Sequence, residues 1–217
     1  MITPFICDGL FDINPNYKIT YNECVVIVDD WYLNYEEMHQ VLVNMPVARW
    51  KWVEGSRNFI DYYDCRPAFP IQERDGRLSH QGIDTIKSII TEFFGETKEL
   101  NLKNKSAEYN YFKHINRDLS NSFQHFPHFD YDYNVLIYLD KINSGGTALY
   151  NMTVITNNES LNLFHDISLY PRMVVSSAPN RMVIFDGRIM HGGYIEDHNK
   201  YVDDWRINQV MFFETYE

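Results

Sequence analysis

The second half of the sequence consists of short runs of β-branched and aromatic residues that are separated by turn residues. Six such runs follow residue 105: AEYNYF, NVLIYLD, TALYNMTVI, RMVVSS, RMVIFDG and WRINQVMFFE. Short strands at this spacing are typical of antiparallel β-sandwiches and barrels, whereas parallel sheets alternate each strand with a long helix. The pattern therefore predicts a mainly β core over about residues 105–217.

The first half of the chain carries two helix signals. Asn34 can cap a helix over YEEMHQVLVNM, which follows the strand-like run ECVVIV. In HQGIDTIKSIITEFF the isoleucines recur on one face, and Gly95 supplies a stop. Because an apolar stripe of this kind packs on a sheet, we expect helices within about residues 1–104 to buttress the core. The prediction is an α+β fold, mainly β with flanking helices.

The composition narrows the class of protein. The formal net charge of −11 disfavours nucleic acid as a partner, because gripping a phosphate backbone needs clustered lysine and arginine. The three cysteines are far apart, so neither a disulfide framework nor a zinc knuckle is predicted. No run resembles a signal peptide or a membrane span. We expect a cytoplasmic protein with a single domain over residues 1–217, whose oligomeric state the sequence leaves unknown.

One strand-like run opens with a concentration of metal-binding side chains, HFPHFDYDYNVLIYL. Successive side chains of a strand alternate between its faces, so His128 and Asp130 should point the same way and Phe129 the opposite way. His191 is the strongest candidate for a third ligand, because it follows the strand RMVIF and precedes a Gly-Gly pair that lets backbone approach a ligand. Two histidines and one carboxylate match the facial triad that holds non-haem Fe(II) with positions left open.

The surrounding residues extend this pattern. Continued alternation places Leu136 and Tyr138 on the face of the two ligands, with the tyrosine hydroxyl deeper along it. Asp132 is expected to stabilise a turn or to remain hydrated, with indirect support of a ligand as a further alternative. Residues 143–147, NSGGT, predict a tight turn that makes NVLIYLD and TALYNM neighbouring strands, because paired glycines adopt positive φ angles. An isolated HxD pair is a weak motif, and the order of these elements strengthens it.

A basic residue begins the last strand-like run, WRINQVMFF. Alternation puts Arg206, Asn208 and Val210 on one face of this strand. Leaving a buried guanidinium without its partner costs about 3–5 kcal/mol, so a buried Arg206 needs an anion. A bound dicarboxylate would supply one and would be held bidentately. The alternative that Arg206 pairs with a protein carboxylate, such as Asp203 or Asp204, stays open.

The ordered set PHFDY, LIYLD, SGGTALY, NRMVIFDGRIMHGG and RINQVMFF resembles the Fe(II)- and 2-oxoglutarate-dependent oxygenases, especially small bacterial and phage members of the prolyl-hydroxylase-like branch. The resemblance covers roughly residues 107–214 and implies a double-stranded β-helix, a jelly-roll and cupin-like fold. It implies that Fe(II) is bound by His128, Asp130 and His191, and that the 2-oxoglutarate pocket contains Arg206, Tyr138 and Tyr111. Lys200 lies at a shorter spacing from the second histidine and is the rival of Arg206 as the anchor.

The resemblance also implies a reaction. 2-Oxoglutarate and O2 would be consumed, succinate and CO2 released, and a peptidyl residue of prolyl type or a small molecule hydroxylated. Two alternatives stay open: a non-catalytic jelly-roll module that binds a metal or a carbohydrate, and a cupin-type metalloenzyme that does not use 2-oxoglutarate. Neither alternative needs Arg206 or Tyr138 to converge beside the metal.

Overall fold

The computed structural model describes residues 5–6, 9–44, 47–50, 64–67, 71–72, 80–102, 108–112, 127–153, 170–197, 200 and 206–216. These ranges contain two helices and fourteen strands. In chain order they are β1 (Phe5–Ile6), β2 (Lys18–Asn22), β3 (Val25–Asp29), α1 (Tyr35–Asn44), β4 (Val47–Trp50), β5 (Asp64–Pro67), β6 (Ile71–Gln72), α2 (His80–Phe94), β7 (Glu99–Leu102), β8 (Glu108–Phe112), β9 (Tyr133–Tyr138), β10 (Gly146–Thr153), β11 (Met173–Ser176), β12 (Arg181–Asp186), β13 (Ile189–Tyr194) and β14 (Arg206–Tyr216).

Most of the strands form two antiparallel sheets. The nine-stranded sheet has the order β2-β3-β12-β9-β14-β8-β5-β4, and β7 pairs with the end of β14. The three-stranded sheet has the order β11-β10-β13, and β1 and β6 form a short parallel pair. The first hundred residues thus contribute strands to the large sheet as well as helices. The prediction of a mainly β chain with flanking helices is confirmed.

Both helices begin and end close to the predicted positions. Asn34 precedes α1, and its carbonyl accepts a hydrogen bond from Met38 N at 3.0 Å. Gly95 ends α2 with a φ of 67°, a conformation that glycine adopts without strain. The predicted stripe of α2 is buried at Ile86 and Ile90. Neither helix in the described part of the chain is long and apolar enough to cross a membrane.

The large sheet buries side chains on both of its faces, and strand alternation decides which residue lies on which face. One face packs against the helices. Its apolar cluster includes Val26, Val28, Val135, Ile137, Met182, Ile184, Ile207 and Met211 from the strands and Met38, Leu42, Ile86 and Ile90 from the helices. The intervening residues point to the small sheet and form a second cluster with it: Val25, Tyr138, Leu149, Val175, Val183 and Phe185. This second cluster therefore lies between the two sheets and contains side chains of β3, β9, β10, β11 and β12.

The predicted hairpin between β9 and β10 is wrong. β9 pairs with β12 and β14 in the large sheet, whereas β10 pairs with β11 and β13 in the small one. Gly145 and Gly146 have φ angles of 127° and 154°. A Cβ atom would lie 2.1 Å from Tyr194 O at the first and 1.8 Å from Val175 O at the second. The glycines thus allow a close main-chain passage from one sheet to the other, which the sequence alone did not distinguish from a hairpin turn.

Asn180 ties the segment before α1 to the large sheet. It is buried and has a φ of 60°, which asparagine tolerates better than most residues. Its side-chain Oδ1 accepts from Tyr32 N at 2.8 Å, and its Nδ2 donates to Tyr32 O at 2.9 Å. Its backbone accepts from Trp31 N and donates to Tyr138 O. One residue therefore satisfies main-chain groups of two distant segments.

We expect Asn180→Ala to lower the free energy of unfolding by about 2–4 kcal/mol, because it leaves two buried main-chain groups of Tyr32 without partners and puts alanine in a left-handed conformation that asparagine tolerates better. Urea denaturation followed by circular dichroism measures the change. Asn16→Ala, on an exposed turn, is the control and should change the value by less than about 0.5 kcal/mol. Equal effects of the two variants would contradict the assignment.

Candidate metal centre

A short main-chain bridge brings together the two histidines of the predicted site. His128 N donates to His191 O at 2.9 Å, and His191 N donates to His128 O at 3.0 Å. His128 lies just before β9 of the large sheet, and His191 lies within β13 of the small sheet. The bridge therefore joins the two sheets at this point, and it sets the imidazole centroids 4.6 Å apart.

The turn between β12 and β13 fixes the segment that carries Asp130. Asp130 N donates to Gly187 O at 2.9 Å, and Gly187 N donates to Asp132 O at 3.0 Å. A Cβ atom on Gly187 would lie 2.0 Å from Tyr131 O, so the close approach needs glycine. The carboxylate of Asp132 accepts hydrogen bonds from Thr215 N and Oγ1, both at 2.8 Å. Asp132 thus stabilises the turn, which was one of its predicted roles.

The side chains of His128, Asp130 and His191 converge on one point. One nitrogen or oxygen atom from each lies within 4.8 Å of the others. The Nε2 atoms of His128 and His191 lie 3.4 and 3.1 Å from Asp130 Oδ2. The side chain of His128 is 44% exposed and that of His191 only 4%, so the group is open to solvent on one side. This donor set fits a divalent transition metal.

The side chains of His128, Phe129 and Asp130 alternate between two faces, although these residues precede β9 and do not belong to a regular strand. Phe129 packs against the cluster of Ala148, Tyr150 and Met190, away from the two ligand candidates. The predicted orientation of the three residues is therefore present in the structure.

The protonation states of the group suit a cation. Burial raises the pKa of Asp130, but its contacts with His128 and His191 outweigh that effect and hold the pKa well below its usual range. Burial lowers the pKa of His191, which favours the neutral imidazole. Its Nδ1 lies 2.8 Å from Ile189 O, an acceptor, so the proton sits on Nδ1 and the lone pair on Nε2. An ionised carboxylate and a neutral imidazole are the forms that bind a metal.

These three side chains line a cavity between the two sheets. The cavity is also lined by Arg206, Asn208, Val210 and Phe212 of β14, Asn134 and Leu136 of β9, Thr147 of β10, and Gly192 and Gly193 of β13. The predicted face of the last strand is thus the face that borders the cavity. Its alternate residues, Ile207 and Met211, belong to the core under the helices.

Arg206 is 5% exposed and is held by main-chain and side-chain contacts. Its Nη2 donates to Gly146 O at 3.1 Å. With the Asn208 amide oxygen turned toward it, its Nη1 donates to that oxygen at 2.9 Å. Its Cζ lies 6.0 Å from the ring centroid of Tyr138. Asp203 and Asp204, the alternative partners, lie outside the described residues.

Asp140 supplies a buried carboxylate whose charge interacts with Arg206. Its oxygens accept hydrogen bonds from Ile142 N at 2.9 Å and Ile207 N at 3.3 Å. Burial raises its pKa to about 6, and the positive charge of Arg206 opposes that rise.

The other residues predicted for the cosubstrate pocket, Tyr138, Tyr111 and Lys200, lie at different places relative to the cavity. Tyr138 is fully buried, and its hydroxyl lies 2.6 Å from Thr147 Oγ1 at the cavity wall. Tyr111 lies opposite Ile207 in the pairing of β8 with β14, and its side chain lies outside the described residues. Lys200 is exposed. The structure thus brings Arg206, and not Lys200, into the cavity of the His-Asp-His group.

Two polar residues of the cavity, Asn134 and Thr147, were missed by the sequence analysis. The side-chain Nδ2 of Asn134 lies 2.8 Å from Asp130 Oδ2 and 2.9 Å from His191 Nε2. Asn134 falls on the same even-numbered alternation that led from Asp130 to Leu136, so the signal was present. Thr147 follows the paired glycines, where the chain passes from one sheet to the other. The sequence predicted a hairpin at this point, so it did not place Thr147 in the cavity.

No family model and no curated protein matches the chain. Among solved structures, the non-haem α-ketoglutarate-dependent epimerase SnoN from nogalamycin biosynthesis has a TM-score of 0.52 at 12% identity, over 89% of this chain and 79% of that chain. A 2OG-Fe(II) oxygenase family oxidoreductase from Burkholderia pseudomallei has a TM-score of 0.48 at 12% identity, over 89% and 86%. AviO1 from Streptomyces viridochromogenes has a TM-score of 0.40 at 13% identity, over 77% and 72%. The similarity to SnoN shows a shared fold.

We expect His128→Ala, Asp130→Ala and His191→Ala each to weaken Co(II) binding by about 100-fold or more, because a structural zinc site gains roughly 3 kcal/mol per ligand. Isothermal titration calorimetry on protein freed of metal measures the affinity. Asp84→Ala is the control, since this carboxylate is exposed on α2, and it should bind Co(II) as the native chain does. Loss of binding in the control alone would refute this ligand set.

Proposed function

We propose that the chain is an Fe(II)- and 2-oxoglutarate-dependent oxygenase, a single domain whose two sheets form a double-stranded β-helix. The observation that carries the proposal is that a buried cation, Arg206, lines the same cavity as the His128, Asp130 and His191 group. A metal-binding module or a cupin-type enzyme without 2-oxoglutarate has no need of a guanidinium there. The pairing of the two features supports a dicarboxylate ligand.

The donor set fits Fe(II). Two imidazole nitrogens and one carboxylate oxygen are the ligands of the non-haem iron facial triad, which leaves three coordination positions for other molecules. When bound, the iron would supply the redox chemistry with O2 while 2-oxoglutarate supplies electrons. The protein side chains would hold the metal and orient the cosubstrate in the cavity between the two sheets.

The cavity supports one orientation of 2-oxoglutarate. Its keto acid end would bind beside the three ligands, and its far carboxylate would be held by the fork of Arg206. Thr147 and Tyr138, whose hydroxyls are paired, would donate to the same carboxylate or to each other. Leu136 and Val210 offer apolar surface to the methylene groups between the two ends. Tyr111 stays a proposed member of this pocket.

We propose hydroxylation as the outcome, with a peptidyl residue of prolyl type or a small molecule as substrate. The resemblance in the sequence favours the peptidyl substrate, and the acidic chain disfavours nucleic acid. SnoN, which shares the fold, is described as an epimerase. Product analysis must therefore look for inverted as well as hydroxylated substrate.

We expect anaerobic addition of 2-oxoglutarate to the Fe(II)-loaded protein to produce a visible charge-transfer band. Arg206→Ala should weaken 2-oxoglutarate binding by about 10- to 150-fold, because a hydrogen bond to a charged group contributes about 1.5–3 kcal/mol, while Co(II) affinity stays within about twofold. Titration of the band measures the first effect and calorimetry the second.

Lys200→Ala is the matched control for this experiment. Its side chain is exposed, so the control should bind 2-oxoglutarate as the native chain does. A loss in Lys200→Ala with normal binding by Arg206→Ala would transfer the anchor to Lys200. Normal binding by both variants would remove the argument for a dicarboxylate.

We expect the native protein to release succinate from 2-oxoglutarate faster in the presence of its substrate. A screen over prolyl peptides, amino acids and small metabolites, with succinate measured by mass spectrometry, identifies the substrate class. Asp130→Ala should release none above background. Tight metal binding without a charge-transfer band or succinate release would favour the non-catalytic module.

A further inference from the structure

Asn134 is a buried polar residue that the proposed function leaves without a role. It is 2% exposed, and it lies in β9 four residues beyond Asp130. Its amide oxygen makes no hydrogen bond among the described residues. A buried amide with an unsatisfied oxygen costs free energy, so overall stability does not explain the choice of asparagine. The explanation lies at the NH2 end of the side chain.

The NH2 group contacts two ligand candidates at once. Asn134 Nδ2 lies 2.8 Å from Asp130 Oδ2 and 2.9 Å from His191 Nε2. Ile189 O can only accept a hydrogen bond, so Nδ1 of His191 is the donor to it, and in the neutral ring Nε2 accepts from Asn134. Asp130 Oδ2 is also an acceptor, and it lies 3.1 Å from that nitrogen. A single donor group that serves both atoms would hold them at this separation.

An NH2 group has two hydrogens and satisfies this requirement. The opposite orientation of the amide would set its oxygen against both acceptors, which supports the assignment of Nδ2 to this position. A metal ion bound at this point would accept a lone pair from each of the same two atoms. The amide and the cation therefore act on the same pair of atoms.

We propose that Asn134 is a positioning residue of the metal centre, whose NH2 group holds Asp130 and His191 together in the metal-free protein and keeps Asp130 oriented after metal binds. With a metal bound, the Nε2 lone pair of His191 would serve the ion instead of Asn134. Asp130 could keep its hydrogen bond from Nδ2, because each carboxylate oxygen has two lone pairs. Asn134 thus preforms the centre and then supports one of its ligands.

The geometry around Asn134 leaves little freedom for this contact. His191 is held on its other side by Ile189 O at 2.8 Å. A Cβ atom on Gly187 would lie 2.8 Å from Asn134 Oδ1, so the turn that fixes Asp130 also packs against the amide. The ring of His191 and the amide of Asn134 therefore have defined positions before any ion arrives.

This inference rests on the metal centre of the proposed function and does not depend on 2-oxoglutarate. Asn134→Leu removes both donors at similar size, and Asn134→Ser, which is smaller, leaves a hydroxyl that cannot span both acceptors. We expect each variant to bind Co(II) about 10- to 100-fold more weakly, the usual effect of removing a partner of a metal ligand. The visible absorption of the bound Co(II) should also change, because Asp130 is less well oriented.

Asn208→Leu is the matched control, since Asn208 is a buried asparagine of the same cavity whose amide faces Arg206. Its Co(II) affinity and absorption should equal those of the native chain. Native affinity in Asn134→Leu and Asn134→Ser, or an equal loss in Asn208→Leu, would overturn the role of Asn134. Failure of the native chain itself to bind Co(II) would instead overturn the metal centre.

A measurement on the native protein keeps the proposal testable if the variants do not fold. In the nuclear magnetic resonance spectrum, Zn(II) should shift the side-chain NH2 proton of Asn134 that faces His191 much more than the one that faces Asp130. Equal small shifts of both protons would overturn the proposal.

Discussion

The burial of both faces of the large sheet governs the rest of the structure. Its central strands alternate between an apolar core under the helices and a second layer that faces the small sheet. Because the side-chain period of a strand is two, a shift of one residue in β9 or β14 would exchange the two sets. The apolar core therefore sets the register, and the register places Asn134, Leu136, Arg206 and Asn208 on the cavity side.

The cavity separates opposite charges within a buried space. Asp130 stays ionised beside the histidines, and Arg206 carries its positive charge among main-chain and amide acceptors. Buried polar groups are tolerated when hydrogen bonds hold them, and each added hydrogen bond restricts where the group can lie. A ligand that bridges the two ends would complete an arrangement whose partners are already fixed by the fold.

The sequence predicted the parts of this arrangement that follow from local pattern. Both helices, the alternation around Phe129 and the cavity face of β14 were read correctly because they depend on period and capping alone. The prediction that β9 pairs with β10 was wrong, because a Gly-Gly pair indicates positive φ angles but does not indicate which strands are neighbours. The contact of Asn134 with two ligand candidates needed coordinates, since it depends on a main-chain bridge between segments some sixty residues apart.

The passage at Gly145 and Gly146 has a consequence for the size of whatever binds. The carbonyl of Gly146 accepts a hydrogen bond from Arg206, and the same glycine lies directly against the backbone of β11. The depth of the guanidinium is thereby set by main chain, which varies less among conformations than a long side chain does. If a dicarboxylate binds as proposed, the fixed position of this guanidinium relative to the His-Asp-His group would favour diacids of one chain length over their shorter or longer homologues.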